Sequence, residues 1–216
     1  MAAYDLDEQE KLGDLKAWWS SYGNYVTAAI TVVALAVAAN QGWKYYTAKQ
    51  AAEASTLYFA LSDAVGKNET AKAKDAVAQL IEKFPSTGYA PRGALLAAKL
   101  AFDAGDLPTA KTQLDWVVAN SKETELTSIA RLRLAAVLLD QTQYEAAIAA
   151  LDAKHSDAFA GLFLDMKGDI FNIQGKAADA KTAYEAALVK LDPKGSQKQY
   201  TQVKLDAVIA SAGAAK

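Results

Sequence analysis

No charged residue occurs between Lys16 and Lys44. Within that window the apolar run Tyr25–Ala39 is relieved only by Thr27 and Thr31. The 22 uncharged residues from Tyr22 to Trp43 would make a helix about 33 Å long, enough to cross a hydrocarbon core of about 30 Å. Aromatic residues flank the run: Trp18, Trp19, Tyr22 and Tyr25 before it, Trp43, Tyr45 and Tyr46 after it. Such belts sit at membrane–water interfaces. A cleaved signal peptide fits poorly. Residues 1–16 carry Asp5, Asp7, Glu8, Glu10 and Asp14 against only Lys11 and Lys16, and Trp43-Lys44-Tyr45-Tyr46 is too bulky for a cleavage site. The pattern therefore predicts one uncleaved membrane-spanning helix. Lys11 and Lys16 on one side balance Lys44 and Lys49 on the other, so charge alone leaves the orientation open. Leu12, Leu15, Trp18 and Trp19 recur at helical spacing. They fit either a short amphipathic helix on the membrane surface or an extension of the span.

Beyond the span the pattern changes to a repeat. A small residue precedes a larger apolar one by four positions at Ala76/Leu80, Ala110/Leu114, Ala147/Leu151 and Ala180/Tyr184. The intervals of 34, 37 and 33 residues are those of stacked helix–turn–helix units. Gly105-Asp106-Leu107-Pro108 and Gly175-Lys176-Ala177 lie just before two of the repeat alanines, where glycine can end a helix at positive φ and proline can start one. Gln141-Thr142-Gln143-Tyr144 takes that place in the third unit without glycine, and the first unit has an irregular loop at Gly66–Ala71. Residues 161–193 fit the tetratricopeptide pattern best, through Leu164, Gly168, Phe171, Gly175, Ala180, Tyr184 and Ala187. Helices are expected at 5–42, with a candidate break at Tyr22–Gly23, then at 44–65, 72–84, 90–104, 108–119, 125–141, 144–152, 158–174, 177–191 and 197–211. The last would cap the array. The fold class is all-α: a single N-terminal transmembrane helix, a tetratricopeptide-like α-solenoid of about four helix pairs, and a capping helix.

Composition supports this reading. Of 216 residues, 48 are Ala and four are Pro, with 52% apolar and 22% charged, a balance that favours packed helices over disorder. The net charge of −2 offers no basic excess for nucleic acid. With no Cys and a single His, disulfides, thiolate chemistry and His-rich metal sites are excluded. No glycine-rich phosphate loop and no nucleophile–base constellation is present, so no cofactor, metal or catalytic residue is expected. His155, in a polar inter-unit turn, reads as a solvated loop residue. Asp165 and Asp169, one helical turn apart, read as a solvated or peptide-contacting face rather than a cation site. Arg131 and Arg133, two positions apart, do not share a helix face and do not make a clamp. Trp116 reads as packing between units.

Several segments, in order along the chain, resemble the YfgM family: Tyr4-Asp5-Leu6-Asp7-Glu8-Gln9-Glu10, Leu15-Lys16-Ala17-Trp18-Trp19, the span, Leu132-Arg133-Leu134-Ala135, Asp165-Met166-Lys167-Gly168-Asp169, and Ala183-Tyr184-Glu185-Ala186-Ala187-Leu188. The resemblance implies a non-enzymatic ancillary subunit of the bacterial Sec translocon in the inner membrane. Its implied partners are the channel subunits, a membrane-anchored periplasmic prolyl-isomerase-like chaperone (PpiD) and secreted client chains. It also orients the chain: residues 1–21 cytoplasmic, 22–43 in the bilayer, 44–216 periplasmic. A tetratricopeptide scaffold of an unrelated envelope complex is the alternative. Mapping the repeat pattern onto units two to four turns Arg92, Leu95, Lys99, Phe102, Leu132, Leu162, Asp165, Asp169 and Asn172 inward, as the candidate partner-binding face. The competing reading makes the leucines ordinary core.

Overall fold

The computed structural model describes residues 2–214 of the backbone and the side chains of residues 8–212. Among the described residues it contains α-helices and one short 3₁₀ turn, with no strand. In chain order these are α1 (Ala2–Gly66), α2 (Thr70–Lys83), α3 (Tyr89–Asp103), α4 (Leu107–Asn120), α5 (Thr124–Asp140), α6 (Tyr144–Asp152), α7 (Ala160–Ile173), α8 (Ala177–Lys190) and α9 (Ser196–Ala214). The 3₁₀ turn, Asp157–Phe159, leads into α7. The helices after the span begin and end within two residues of the expected bounds, apart from the C-terminal end of α9. The chain divides into two compact units between Gln50 and Ala51.

In the first unit the expected breaks at Tyr22–Gly23 and at Trp43 do not occur, and α1 runs through both. Gly23 is not a hinge. The Trp19 indole lies against it, so that a Cβ there would sit 3.1 Å from the ring, and the Thr27 hydroxyl donates to the Gly23 carbonyl at 2.9 Å. A helix satisfies all of its own backbone groups, which is what a lipid environment demands. Ile30, Val32, Val33, Leu35 and Val37 are exposed. This is the one helix among the described residues long and apolar enough to cross a membrane, and almost none of its apolar stretch is buried. A soluble core helix would bury such a run. Trp18 packs with its ring tilted against Trp19 and Tyr22 at one end, and Trp43 against Tyr46 at the other.

The second unit is a four-fold repetition of one reversal. Asn68, Gly105, Thr142 and Gly175 all have positive φ, between 56° and 74°, and follow one another at intervals of 37, 37 and 33 residues. Each closes the preceding helix with the same pair of backbone bonds. In the second unit of the repeat, for example, the Gly105 N–H donates to Phe102 and the Asp106 N–H to Ala101. The same pair joins Asn68 and Glu69 to Val65 and Ala64, Thr142 and Gln143 to Leu139 and Leu138, and Gly175 and Lys176 to Asn172 and Phe171. This closure satisfies carbonyls that would otherwise be orphaned and turns the chain back. Asp106 also caps α4 through its side chain, accepting from the Thr109 N–H at 3.1 Å.

This shared closure corrects the phase of the first unit. Its equivalent of Ala110, Ala147 and Ala180 is Ala73, not Ala76. Each of these four alanines stands in the first turn of a second helix with its solvent exposure reduced to 0%. The large residue four positions on is Val77, Leu114, Leu151 or Tyr184, all buried. The opposed first helix compensates for volume where this is shown directly: a Cβ on Gly168 would meet the Tyr184 ring at 2.4 Å. A larger residue at 184 therefore requires the smallest one at 168. The core runs continuously from Leu61 to Ile170, and a smaller cluster of Ala180, Tyr184, Leu205 and Val208 joins α8 to α9. Trp116 packs against the main core, as expected. His155 is not a solvated loop residue. Its ring stacks on Phe163 with centroids 4.0 Å apart, and its Nδ1 lies 3.0 Å from the Ala153 carbonyl oxygen.

A β-branched residue at positive φ is strained, by about 1–2 kcal/mol. Thr142→Gly should therefore raise the stability of the purified full chain by about 1 kcal/mol after the entropy cost of glycine, whereas Gly105→Ala should lower it. Thermal unfolding of the pair checks this, since shifts of the same sign would be incompatible with a shared closure. Gly168→Ala should lower stability by about 1–3 kcal/mol through overpacking against Tyr184.

Candidate interaction site

The first helices of successive repeats touch, α3 against α5 and α5 against α7, and so present one continuous face. The residues expected on it fall into three groups. Leu95 is buried in the core, and Leu132 is half-buried and packed on it. Leu162 is also half-buried. Arg92, at the N-terminal end of α3, donates from both terminal nitrogens to Glu123, at 2.7 and 2.8 Å, and also to the Gly88 carbonyl. This pair braces the loop between α4 and α5. Its bonds from Arg92 hold the Glu123 carboxyl below the ordinary glutamate range.

The second group is closed from within. Asp165 was expected on a solvated or partner-contacting face, yet it is only 5% exposed. Its Oδ1 accepts from the Thr201 hydroxyl at 2.8 Å. Its Oδ2 accepts from the Gln197 amide at 3.0 Å and from the Lys204 ammonium at 2.9 Å. Asp169 accepts from Lys204 at 2.7 Å and from the Tyr184 hydroxyl at 2.7 Å. Lys204 also lies 5.8 Å from the centre of the Tyr184 ring. Burial alone would lower the Lys204 pKa, but its bonds to Asp169 and Asp165 outweigh it and hold the group above its ordinary value. Burial, with the Asp169 bond, pushes the Tyr184 hydroxyl strongly up, so it stays a donor. The two carboxylates thus fasten the capping helix to the last repeat. Asn172, further along α7, remains exposed.

The third group is open. Lys99 and Phe102 line a cleft of about 250 Å³ between α3 and α5, whose floor is Ala98, Leu114, Ala136 and Val137 and whose rim includes Asp103 and Arg133. Phe102 is 38% exposed, and Lys99 is paired with Asp103 one turn on. Arg133 is half of the pair that spacing separated from Arg131, and the structure agrees that the two do not act together. Arg131 bonds the Lys154 carbonyl, while Arg133 donates to the Leu95 carbonyl at 3.2 Å. Arg133, Asp103 and Ala136 were not among the expected site residues. The turn positions 105 and 142, once aligned, place Ala136 at the repeat position of Lys99 and Asp169. That is the signal that would have found the hollow.

An apolar N-terminal helix able to span a bilayer, joined in sequence to stacked helix pairs with an open face and no clustered metal ligands among the described residues, defines a membrane-anchored helical-repeat protein. The model of the tetratricopeptide repeat-like domain matches residues 16–210. The chain is 31% identical over 209 residues to the ancillary SecYEG translocon subunit of Neisseria gonorrhoeae, covering 96% of this chain and 100% of that one. It is 31% identical to the subunit of the same name from Haemophilus influenzae, over 94% and 97% of the two chains, and 27% identical to that of Escherichia coli, over 93% and 96%. Among solved structures, MamA (41-end) from Desulfovibrio magneticus RS-1 superposes with a TM-score of 0.54 at 18% identity, covering 74% of this chain and 89% of that one. It shares the fold. The chain belongs to the tetratricopeptide-like YfgM family, whose characterised members carry the name ancillary SecYEG translocon subunit.

Removing one partner from the buried carboxylate cluster should be costly. Lys204→Met is expected to destabilise by about 3 kcal/mol, because it leaves two carboxylates without their shared cation, whereas Lys99→Gln in the open cleft should change stability by no more than about 0.5 kcal/mol. Denaturant unfolding of the full chain in detergent checks both. The lowered Glu123 pKa means that its pair with Arg92 stabilises the fold above the ordinary glutamate range, with the contribution lost as pH falls through the lower folded value. Melting temperatures of wild type and Arg92→Gln should therefore differ slightly near neutral pH and converge in acid.

Proposed function

We propose that this chain is a non-enzymatic ancillary subunit of the SecYEG translocon in the bacterial inner membrane. Residues 22–43 cross the bilayer, residues 1–21 face the cytoplasm, and residues 44–216 work in the periplasm. There the helical-repeat face contacts secreted chains and docks a membrane-anchored prolyl-isomerase-like chaperone of the PpiD type. The observation that carries this reading is the likeness along almost the whole chain, span and repeats together, to proteins named for that role. The chemistry of the face suits it. The cleft offers exposed aromatic and small apolar surface beside charges of both signs, a mixture that favours polypeptide over a single small molecule. A membrane anchor raises the local concentration of such a face near the channel, so weak contacts suffice.

Co-purification of the full chain from mildly solubilised membranes tests the assignment. Channel subunits should accompany it. Recovery of an unrelated envelope complex without them would favour the scaffold alternative. Orientation has its own test. Protease added to spheroplasts should digest residues 51–216, and protection of that region with cleavage near the N-terminus would reverse the topology.

A further inference from the structure

The cleft between α3 and α5 carries an unbalanced positive charge. Lys99 is answered by Asp103, but Arg133 has no carboxylate within ion-pair reach among the described residues. Among the described residues its one bond, from Nη1 to the Leu95 carbonyl at 3.2 Å, fixes the guanidinium at the rim and leaves its other N–H groups available. Beside it lies a hollow. Ala136 occupies the repeat position that is Lys99 in the second unit and Asp169 in the fourth, and its short side chain opens the space bounded by Phe102 and Val137. An oriented cation at the mouth of an apolar hollow recognises an apolar side chain with a carboxylate beside it. In an extended peptide, residues two apart point the same way.

We propose that this cleft docks an extended segment, a large aliphatic side chain filling the hollow over Ala136 and an acidic residue two positions away pairing with Arg133. The proposal deepens the reading of this face as a polypeptide-binding surface and rests on it. It names what the face selects: acidic-aliphatic segments of an extended client chain, not basic ones.

The test uses the full chain in lipid nanodiscs and fluorescent nine-residue Gly/Ser peptides with a central Leu-Ser-Glu, Leu-Ser-Gln, Leu-Ser-Lys or Ala-Ser-Glu, read by anisotropy. Leu-Ser-Glu should bind at least about tenfold more tightly than the other three, the size of one charge-assisted contact or one filled apolar pocket. Arg133→Glu should invert the preference toward Leu-Ser-Lys. Ala136→Leu should abolish binding while helical content and melting temperature stay at wild-type values. Equal binding of the Glu and Gln peptides, no binding of Leu-Ser-Glu, retained binding by Ala136→Leu, or displacement by free glutamate as effective as by unlabelled peptide would each overturn the proposal. Co-purification with channel subunits reports separately. Its absence in wild type would remove the translocon assignment whatever the peptides do, and its presence alongside a failed peptide test would overturn the cleft's selectivity alone.

Discussion

Everything in the repeat region depends on one backbone event, the reversal that follows each first helix. A single residue at positive φ, at 68, 105, 142 or 175, lets two amides return to the last carbonyls of the helix and sends the chain back antiparallel. An alanine in the first turn of the next helix then fits against its neighbours with no exposed surface. The larger residue one turn on supplies the apolar contact. Propensity alone would not select this arrangement, since two of the four reversing residues are Asn68 and Thr142, which tolerate positive φ less well than glycine does. Tertiary packing holds them there, and the cost is confined to one dihedral in each.

Much of this was legible from spacing. A period in the mid-thirties, small residues at fixed offsets and Gly105 and Gly175 at the turns locate the helices to within a residue or two. The first repeat was misphased because Ala76/Leu80 satisfies the small-large spacing as well as Ala73/Val77 does, and only the backbone closure at Asn68 tells them apart. The breaks expected at Tyr22–Gly23 and Trp43 do not occur in α1. In the structure Gly23 serves as a seat for Trp19.

The candidate site was half legible. The repeat pattern points Lys99 and Phe102 to the shared face, and both line the cleft. Asp165 and Asp169 read as a solvated or peptide-contacting face because their partners Thr201 and Lys204 lie more than thirty residues further on and no local pattern links them. The two ends of the face therefore have different roles. At the fourth unit charge is spent internally, holding the cap that prevents end-to-end stacking of repeats. Between the second and third units, where Ala136 stands in the repeat position of Asp169, the cap does not reach, and a cleft rimmed by Arg133 remains.

That division between a sealed end and an open middle is what ties the fold to the proposed role, and site-resolved photo-crosslinking in intact membranes tests it most directly. A benzophenone side chain placed at Phe102 should give adducts with translocon-associated polypeptides, and one placed at Tyr200, exposed on the capping helix, should give none while the chain stays folded. Equal adducts from both positions, or adducts from the cap alone, would contradict the account.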